Sequence, residues 1–191
     1  MKILLVCILI INVFIFELEC KNNEREKIFN AIQEMKTTFL SKNKLKIIEY
    51  FSFPIIDGDL RDIVEECNER NKKTVEKNAK KVNRLIVDKN IFYKNLDCII
   101  SKDFLRLLKR LNFDSLQISN HIEKVVENYN KNCKYIYRID IENDTVQFSV
   151  SFLNGDNDNE NSDNDCAEYN ETYYFTFNGK KLIFQNLFIS E

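Results

Sequence analysis

The cysteines are the residues of this chain with the widest choice of chemistry. The sequence holds six of them. None is spaced as CxxC or CxxH, and the chain has a single histidine, His121, so the ligand spacing of a structural zinc site is missing. We therefore expect no metal, and we assign the cysteines to disulfides or to lipidation. They stand at Cys7, Cys20, Cys67, Cys98, Cys133 and Cys166.

Cys20 follows an apolar run at the N-terminus. The run ILLVCILIINVFIF, residues 3–16, has the length of a signal-peptide core and is short for a membrane-spanning helix. We predict a signal peptide over residues 1–20 and a mature chain that begins at Lys21, secreted or periplasmic. The alternative is lipidation at Cys20 and anchoring to the cell envelope, although Glu17 and Glu19 occupy the places where lipoprotein signals carry leucine and a small residue.

Export changes how the remaining cysteines are interpreted. Cys7 leaves with the signal, and a cut after Cys20 leaves an even number of cysteines in an oxidising compartment, enough for two disulfides in three pairings. Sequence does not choose among the pairings. Cys133 and Cys166 each precede a predicted strand, so this pair could close a long loop. The other two candidates are Cys67 and Cys98.

Residues suited to catalysis are few. A Cys–His pair or a Ser–His–Asp set would depend on His121, and no GxSxG motif accompanies it. Asp97 could point inward, and Asp140 alternates onto the sheet face opposite Tyr137 and Ile139, but acids on strands and helices are usually solvated. With three glycines the chain has no phosphate-binding loop. We predict no catalytic residue and no cofactor.

Charge and length limit the classes of partner. Lys and Arg total 28 against 30 Asp and Glu, so the formal net charge is −2 and the chain as a whole has no electrostatic attraction for nucleic acid. The length of 191 residues and the apolar content suit one domain, residues 21–191. We expect no nucleic-acid partner, and a membrane partner only if Cys20 is lipidated.

Helical periodicity comes first along the mature chain. Apolar residues at helical spacing predict an amphipathic helix over 24–40 and a short one over 43–51, which Pro54 and the Asp57-Gly58 turn bring to an end. Residues 59–90 are highly charged and give no clear assignment. Two further helices follow, one capped by Asp88 or Asn90 and one capped by Ser101.

From residue 134 the pattern alternates with a period of two. It predicts four strands in an antiparallel meander, over 134–142, 145–153, 168–177 and 181–190. The fold class is therefore α+β, with the N-terminal helices packed on a curved sheet. One sheet face is aromatic and is our candidate ligand surface, unless it packs on the helices as core. Its candidate binding residues are Tyr135, Tyr137, Phe148, Phe175 and Phe184.

An acidic, amide-rich stretch separates the second and third predicted strands. NGDNDNENSDND, residues 154–165, has the oxygen density of a calcium loop but lacks the glycine and glutamate that an EF-hand requires at its sixth and twelfth places. We interpret this segment as a flexible acidic loop.

The order of these elements resembles a known fold family. A long helix, a short helix ending in YFSFPI, the helix pair IFYKNLDCIISKDFLRLL and a final meander ending in NGKKLIFQNLFIS are similar to exported bacterial proteins of unknown function with a nuclear transport factor 2-like, or cystatin-like, cone. The resemblance implies a cone that can hold a ligand and a sheet face that can form a homodimer. It supplies no motif onto which the catalytic acids of enzymes with this fold could be carried.

The functional expectation is accordingly a non-catalytic exported binding or interaction module. Its partner would be a protein, a peptide or a small apolar ligand. The alternative is a small cone-fold enzyme that uses a buried carboxylate, which would require an inward acid with a raised pKa in an open pocket.

Overall fold

The chain folds as helices followed by an antiparallel sheet. The computed structural model describes residues 23–70, 87–110, 112–117, 119–128, 133–154 and 169–190. The predicted signal peptide with Cys20, the acidic loop beyond Asn154, and Cys166 lie outside the described residues. The helices are α1 (23–40), α2 (Lys44–Ile47), α3 (Gly58–Arg70), α4 (Lys89–Ile99) and α5 (Lys102–Arg110), with 3-10 turns at Ile48–Tyr50 and Phe113–Gln117.

The helix ends are set by side-chain caps. Asp88 accepts hydrogen bonds from the backbone N–H groups of Asn90 and Ile91 and begins α4, while Ser101 Oγ accepts from Phe104 N and begins α5. Of the two caps predicted for α4, Asp88 is the one used, and the predicted cap Ser101 is confirmed. Asp57 Oδ1 accepts from Leu60 N at 2.8 Å, so the predicted Asp57-Gly58 turn is also the start of α3, a helix that the charged sequence did not reveal.

The sheet has five strands, so the prediction of four was wrong. They are β1 (His121–Asn128), β2 (Cys133–Glu142), β3 (Thr145–Asn154), β4 (Tyr169–Phe177) and β5 (Leu182–Ser190), paired antiparallel in the order β1-β2-β3-β4-β5. The sheet is open, with β1 and β5 at its edges. The additional strand is β1, where Ile122 and Val126 share one face but the exposed Val125 lies on the other, which obscures the alternation.

The core lies between the helices and one face of the sheet. Register places Ile139, Phe148, Tyr173 and Leu187 side by side across four strands, and all four are buried. Phe104 of α5 packs on this row, with its ring centroid 5.8 Å from that of Phe148. The predicted α+β arrangement is thereby confirmed.

A disulfide links two helices. Cys67 of α3 and Cys98 of α4 are bonded, 31 residues apart in the chain. This is one of the three pairings left open by the sequence, and it connects the segments on either side of residues 71–86. Among the helices that the structure describes, none combines the length and apolar character needed to cross a membrane.

Candidate functional site: a lysine-rimmed pocket beside a buried acid

The predicted ligand residues are mostly core residues. Tyr137, Phe148, Phe175 and Phe184 are buried, and only Tyr135 is half-buried. Phe39 of α1 and Phe51 fill the space above the sheet, where they contact Phe175 and Phe184 edge-on or tilted. A ligand would therefore reach the aromatic face only at the end where Tyr135 lies.

Glu171 interrupts this aromatic face, and the sequence analysis missed it. It lies on β4 between Tyr169 and Tyr173, on the side that faces the helices, and is 1% exposed. Its carboxylate accepts a hydrogen bond from Ser101 Oγ at 2.7 Å, and Tyr173 Oη lies 2.5 Å from the other oxygen. The signal available in the sequence was an acid at an inward position of an alternating strand.

The hydrogen bonds around Tyr173 favour a protonated Glu171. Tyr173 Oη lies within hydrogen-bond distance of both Glu171 Oε1 and the carbonyl oxygen of Ile99, but a phenol has one proton to donate. If Glu171 is neutral, it donates to Tyr173 Oη and Tyr173 donates to Ile99. Burial is the main cause that raises the pKa of Glu171, and its hydrogen bonds to Tyr173 and Ser101 oppose that rise only in part.

The other acids considered from the sequence lie at the surface. Asp97 is 82% exposed in its side chain and forms an ion pair with Lys44, with Nζ and Oδ2 2.6 Å apart. Asp140 is within hydrogen-bond distance of His121 Nδ1 on the outer side of the sheet edge, where both side chains contact solvent. The His121–Asp140 pair lines neither described cavity, and each of the two pairs has the character of a surface ion pair.

A pocket with an apolar floor opens on the helical side of the molecule. Its volume is about 220 Å³. It lies between the turn that joins α1 to α2 and the junction of α4 with α5. The floor is formed by Phe39, Ile47, Leu96, Ile100 and Leu105, and the rim by Lys42, Lys44, Asp97 and Lys102. We call it the lysine-rimmed pocket.

The backbone at Lys42 adopts a conformation that lysine seldom takes. Its φ is +56°, in the left-handed region, directly after α1, and its N–H donates to the carbonyl of Phe39 at 3.1 Å. Helices commonly end in this way, but the residue there is usually glycine, because a Cβ costs about 1 kcal/mol or more in the left-handed region. The chain therefore has a charged side chain at the pocket rim, at a position where the backbone conformation favours glycine.

The electrostatic field at the rim is positive. The Asp97 carboxylate is paired with Lys44, and the described residues offer no ion pair to Lys42 or Lys102. The end of α4 at Ile99 and the start of α5 at Lys102 meet beside the pocket, so their opposite helix-end partial charges largely cancel. The positive charge at the rim thus comes from the lysine side chains.

A larger polar groove lies along α1, with a volume of about 530 Å³. Lys181 Nζ there donates to the carbonyl of Glu49 at 2.6 Å and lies 6.0 Å from the ring centre of Tyr50. Its two lysines and two glutamates balance, and Tyr50 is its one large apolar contribution. The lining residues are Gln33, Glu34, Thr37, Thr38, Lys46, Glu49, Tyr50 and Lys181. We therefore regard the lysine-rimmed pocket as the better candidate site.

Neither cavity includes Glu171 in its lining. The acid lies on β4 and bonds Ser101 at the α4–α5 junction, whereas the lysine-rimmed pocket is lined by Ile100 and Lys102 of that junction. Comparison of the chain with protein-family models, with curated proteins and with solved structures finds no match. The functional conclusion therefore rests on this geometry and on the residues that form it.

Proposed function

We propose that this protein is an exported, non-catalytic binding module of the cone-like, cystatin-like kind, and that it holds a small ligand in the lysine-rimmed pocket. The observation that carries the proposal is the pocket itself, a cavity of about 220 Å³ that combines an apolar floor with charged groups at its mouth. Ligand sites typically have this composition, in which apolar walls supply affinity and a few polar groups fix orientation.

Export is supported by two independent features. The apolar run over residues 3–16 has the length of a signal-peptide core, and the Cys67–Cys98 disulfide is of the kind that persists in oxidising compartments. The protein would then act outside the cytoplasm, released after cleavage or, in the alternative, held at the envelope by lipidated Cys20.

The enzymatic alternative now has a specific residue to consider. Glu171 is an inward acid with a raised pKa, as a catalytic acid of this kind would need. Its two oxygens, however, already contact Ser101 and Tyr173, and the nearby carbonyl of Ile99 shares the Tyr173 hydroxyl. Because these contacts enclose the carboxyl group, we place binding ahead of catalysis and assign Glu171 a structural role.

A fragment titration tests the proposed pocket. The mature chain, residues 21–191 with its disulfides intact, would be labelled with ¹⁵N and titrated with single-ring compounds of charge −1, 0 and +1. We expect at least one compound to shift backbone resonances on both sides of the pocket, at Lys42–Ile47 and at Leu96–Lys102, at millimolar concentration or below.

The matched control fills the floor without changing any charge. Leu105 is half-buried at the floor, so Leu105→Phe should abolish the shifts while the rest of the spectrum stays that of the folded protein. If no compound shifts both segments, or if the shifts persist in Leu105→Phe, the pocket is not the binding site.

A further inference from the structure

The geometry points to a small apolar carboxylate, a monoanion with a body the size of one ring, as the ligand class of the lysine-rimmed pocket. This inference rests on the proposed function and adds the chemistry of the ligand to it. Three features of the pocket carry it: the size of the floor, the sign of the rim charge and the conformation of Lys42.

The size of the floor limits the body of the ligand. An apolar cavity of about 150 Å³ is large enough to hold benzene. The lysine-rimmed pocket, at about 220 Å³, has room for one ring or a branched chain of similar size and for the group that joins it to a carboxylate. A bare inorganic anion would leave the apolar floor unfilled, and a ligand of drug size would exceed the cavity.

The rim determines the charge of the ligand. Lys42, Lys44 and Lys102 stand against a single acid, Asp97, which is already paired with Lys44. A neutral ligand would leave this positive field without a partner, and a cation would be repelled by it. A carboxylate placed between Lys42 and Lys102, to which the described residues offer no ion pair, would complete the charge balance while its body occupies the floor.

The backbone at Lys42 gives an independent indication. Glycine would adopt a φ of +56° at the end of α1 without the cost that a Cβ imposes, yet the chain carries lysine there. Strained residues concentrate at ligand sites, because the surrounding structure holds them where their side chains are needed. The side chain at this strained position, Lys42, is one of the cations at the pocket rim.

Three probes separate the two contributions to binding. Phenylacetate carries both the ring and the charge, phenylacetamide carries the ring alone, and acetate carries the charge alone. In the same resonance titration of the mature protein, we expect phenylacetate to shift both pocket segments, with each of the other probes binding about tenfold or more weakly. Added salt should weaken phenylacetate binding and leave phenylacetamide unaffected.

Variants at the rim test which cations take part. The double variant Lys42→Gln/Lys102→Gln should weaken phenylacetate binding about tenfold, the combined effect expected of two partly exposed charge pairs. The matched control Lys94→Gln/Lys109→Gln removes the same charge from exposed positions of α4 and α5 and should leave binding unchanged. Asp97→Asn releases Lys44 and should tighten binding severalfold.

Each other outcome contradicts the ligand class in its own way. If phenylacetamide binds as well as phenylacetate, the pocket takes neutral apolar ligands, and the binding function stands without the carboxylate. If acetate or inorganic phosphate binds as well as phenylacetate, only surface lysines are engaged and the ligand class is wrong. If no probe shifts either segment, both the ligand class and the proposed function fail.

Discussion

Glu171 is the residue whose identity agrees least with its surroundings. It is an acid on a strand face that is otherwise aromatic or aliphatic, and no cation compensates it among the described contacts. Burial raises the pKa of Glu171, and its neutral form is one that Tyr173 and Ser101 can fully hydrogen-bond. An ionised Glu171 would be a buried charge, and it would accept the one proton of the Tyr173 hydroxyl. The carbonyl of Ile99 would then lose its hydrogen bond from Tyr173.

The raised pKa of Glu171 predicts a specific pH dependence of stability. Between its ordinary pKa in the unfolded chain and its higher pKa in the folded protein, the folded state keeps a proton that the unfolded state has lost. Its contribution to the free energy of unfolding is therefore full below the unfolded pKa and is lost as pH rises through the folded pKa. Glu171→Gln should remove this loss and stabilise the protein by about 1 kcal/mol at neutral pH, measured by urea denaturation across the pH range.

A control for this prediction makes the same change at an exposed site. Glu65 lies on α3 with its carboxylate 4.0 Å from Arg61, and Glu65→Gln should leave the pH profile of stability as in the wild type. If Glu171→Gln is as sensitive to pH as the wild type, or clearly less stable at neutral pH, the carboxyl is not held neutral in the fold.

Lys42 should lower the stability of the fold while its charge strengthens ligand binding. Lys42→Gly relieves the left-handed backbone and should raise the free energy of unfolding by about 1 kcal/mol, even though it removes a charge from the pocket rim. Lys42→Gln, which keeps the Cβ, should leave stability unchanged. Thermal denaturation of both variants gives the comparison, and a Lys42→Gly protein no more stable than Lys42→Gln would show that the backbone is unstrained.

The sequence contained part of this information. Glu171 could have been found as the acid that interrupts the inward series Tyr169, Tyr173 and Phe175, because strand alternation alone assigns its face. The rim of the pocket could not have been found from the sequence, because Lys42 and Lys102 are 60 positions apart in the numbering. They become neighbours only when α1 and α5 pack together. Surface lysines at such separations look like ordinary solvated charges until the fold is known.

At the scale of elements, the start of α3 is joined to the edge of the sheet. The second carboxylate oxygen of Asp57 accepts from Leu187 N at 2.9 Å, and Asp59 accepts from Ile189 N at 2.7 Å. These are backbone N–H groups of the edge strand β5 that no further strand pairs. Asp57 thus caps α3, and Asp57 and Asp59 together cover an edge that would otherwise be open to pairing with another chain.

Substitution of Asp57 tests this connection. Asp57→Ala removes both the helix cap and the bond to Leu187 and should lower the free energy of unfolding by about 2 kcal/mol. Asp57→Asn keeps one acceptor oxygen and should lose about half as much. Exchange of the Leu187 amide with deuterium should quicken in both variants, and an unchanged exchange rate would mean that the carboxylate does not hold β5.

The disulfide should contribute more to stability than the Asp57 side chain. Because it closes a segment of 31 residues between α3 and α4, the loop-entropy model gives about 3–4 kcal/mol for it. The double variant Cys67→Ala/Cys98→Ala should therefore unfold at a much lower denaturant concentration than the wild type. If the two proteins unfold at the same concentration, the closed loop does not restrict the unfolded chain.

Elements with strong local signals were predictable, and those defined by tertiary contacts were not. Asp88 and Ser101 cap their helices through bonds within a few residues, so sequence alone located α4 and α5. The helix α3 has a charged surface and few buried residues, among them Leu60 and Val64, too few for a clear periodic pattern. Strand β1 lies at an edge, where pairing with β2 rather than alternation defines it.

At the scale of the whole molecule, the aromatic sheet face forms the core, and the cavity proposed for binding lies on the helical side. The face predicted from strand alternation is real, but Phe39, Phe51 and Phe104 fill it from the helices. Sequence could assign the side chains to a face, whereas the volume left above that face depends on how closely the helices approach. The described cavity with an apolar floor therefore lies among the helices.

Export of the whole chain is the prediction that reaches furthest, because it decides where any ligand is met. Two unrelated features support it, the apolar run that ends near Cys20 and the disulfide formed by Cys67 and Cys98. The intact mass of the protein from its native host should correspond to a chain that starts at Lys21. It should increase on reduction by about 2 Da for each disulfide.

The size of that increase and the start of the chain distinguish the alternatives. An increase of about 4 Da would indicate a second disulfide. It would join Cys133 and Cys166, the two cysteines left for pairing once Cys67 and Cys98 are joined. A mass starting at Cys20 with acyl chains would place the pocket at the envelope surface. A mass that includes Met1 and the apolar run would contradict cleavage. The apolar carboxylate would then have to be sought elsewhere than among the ligands that a released extracellular protein meets.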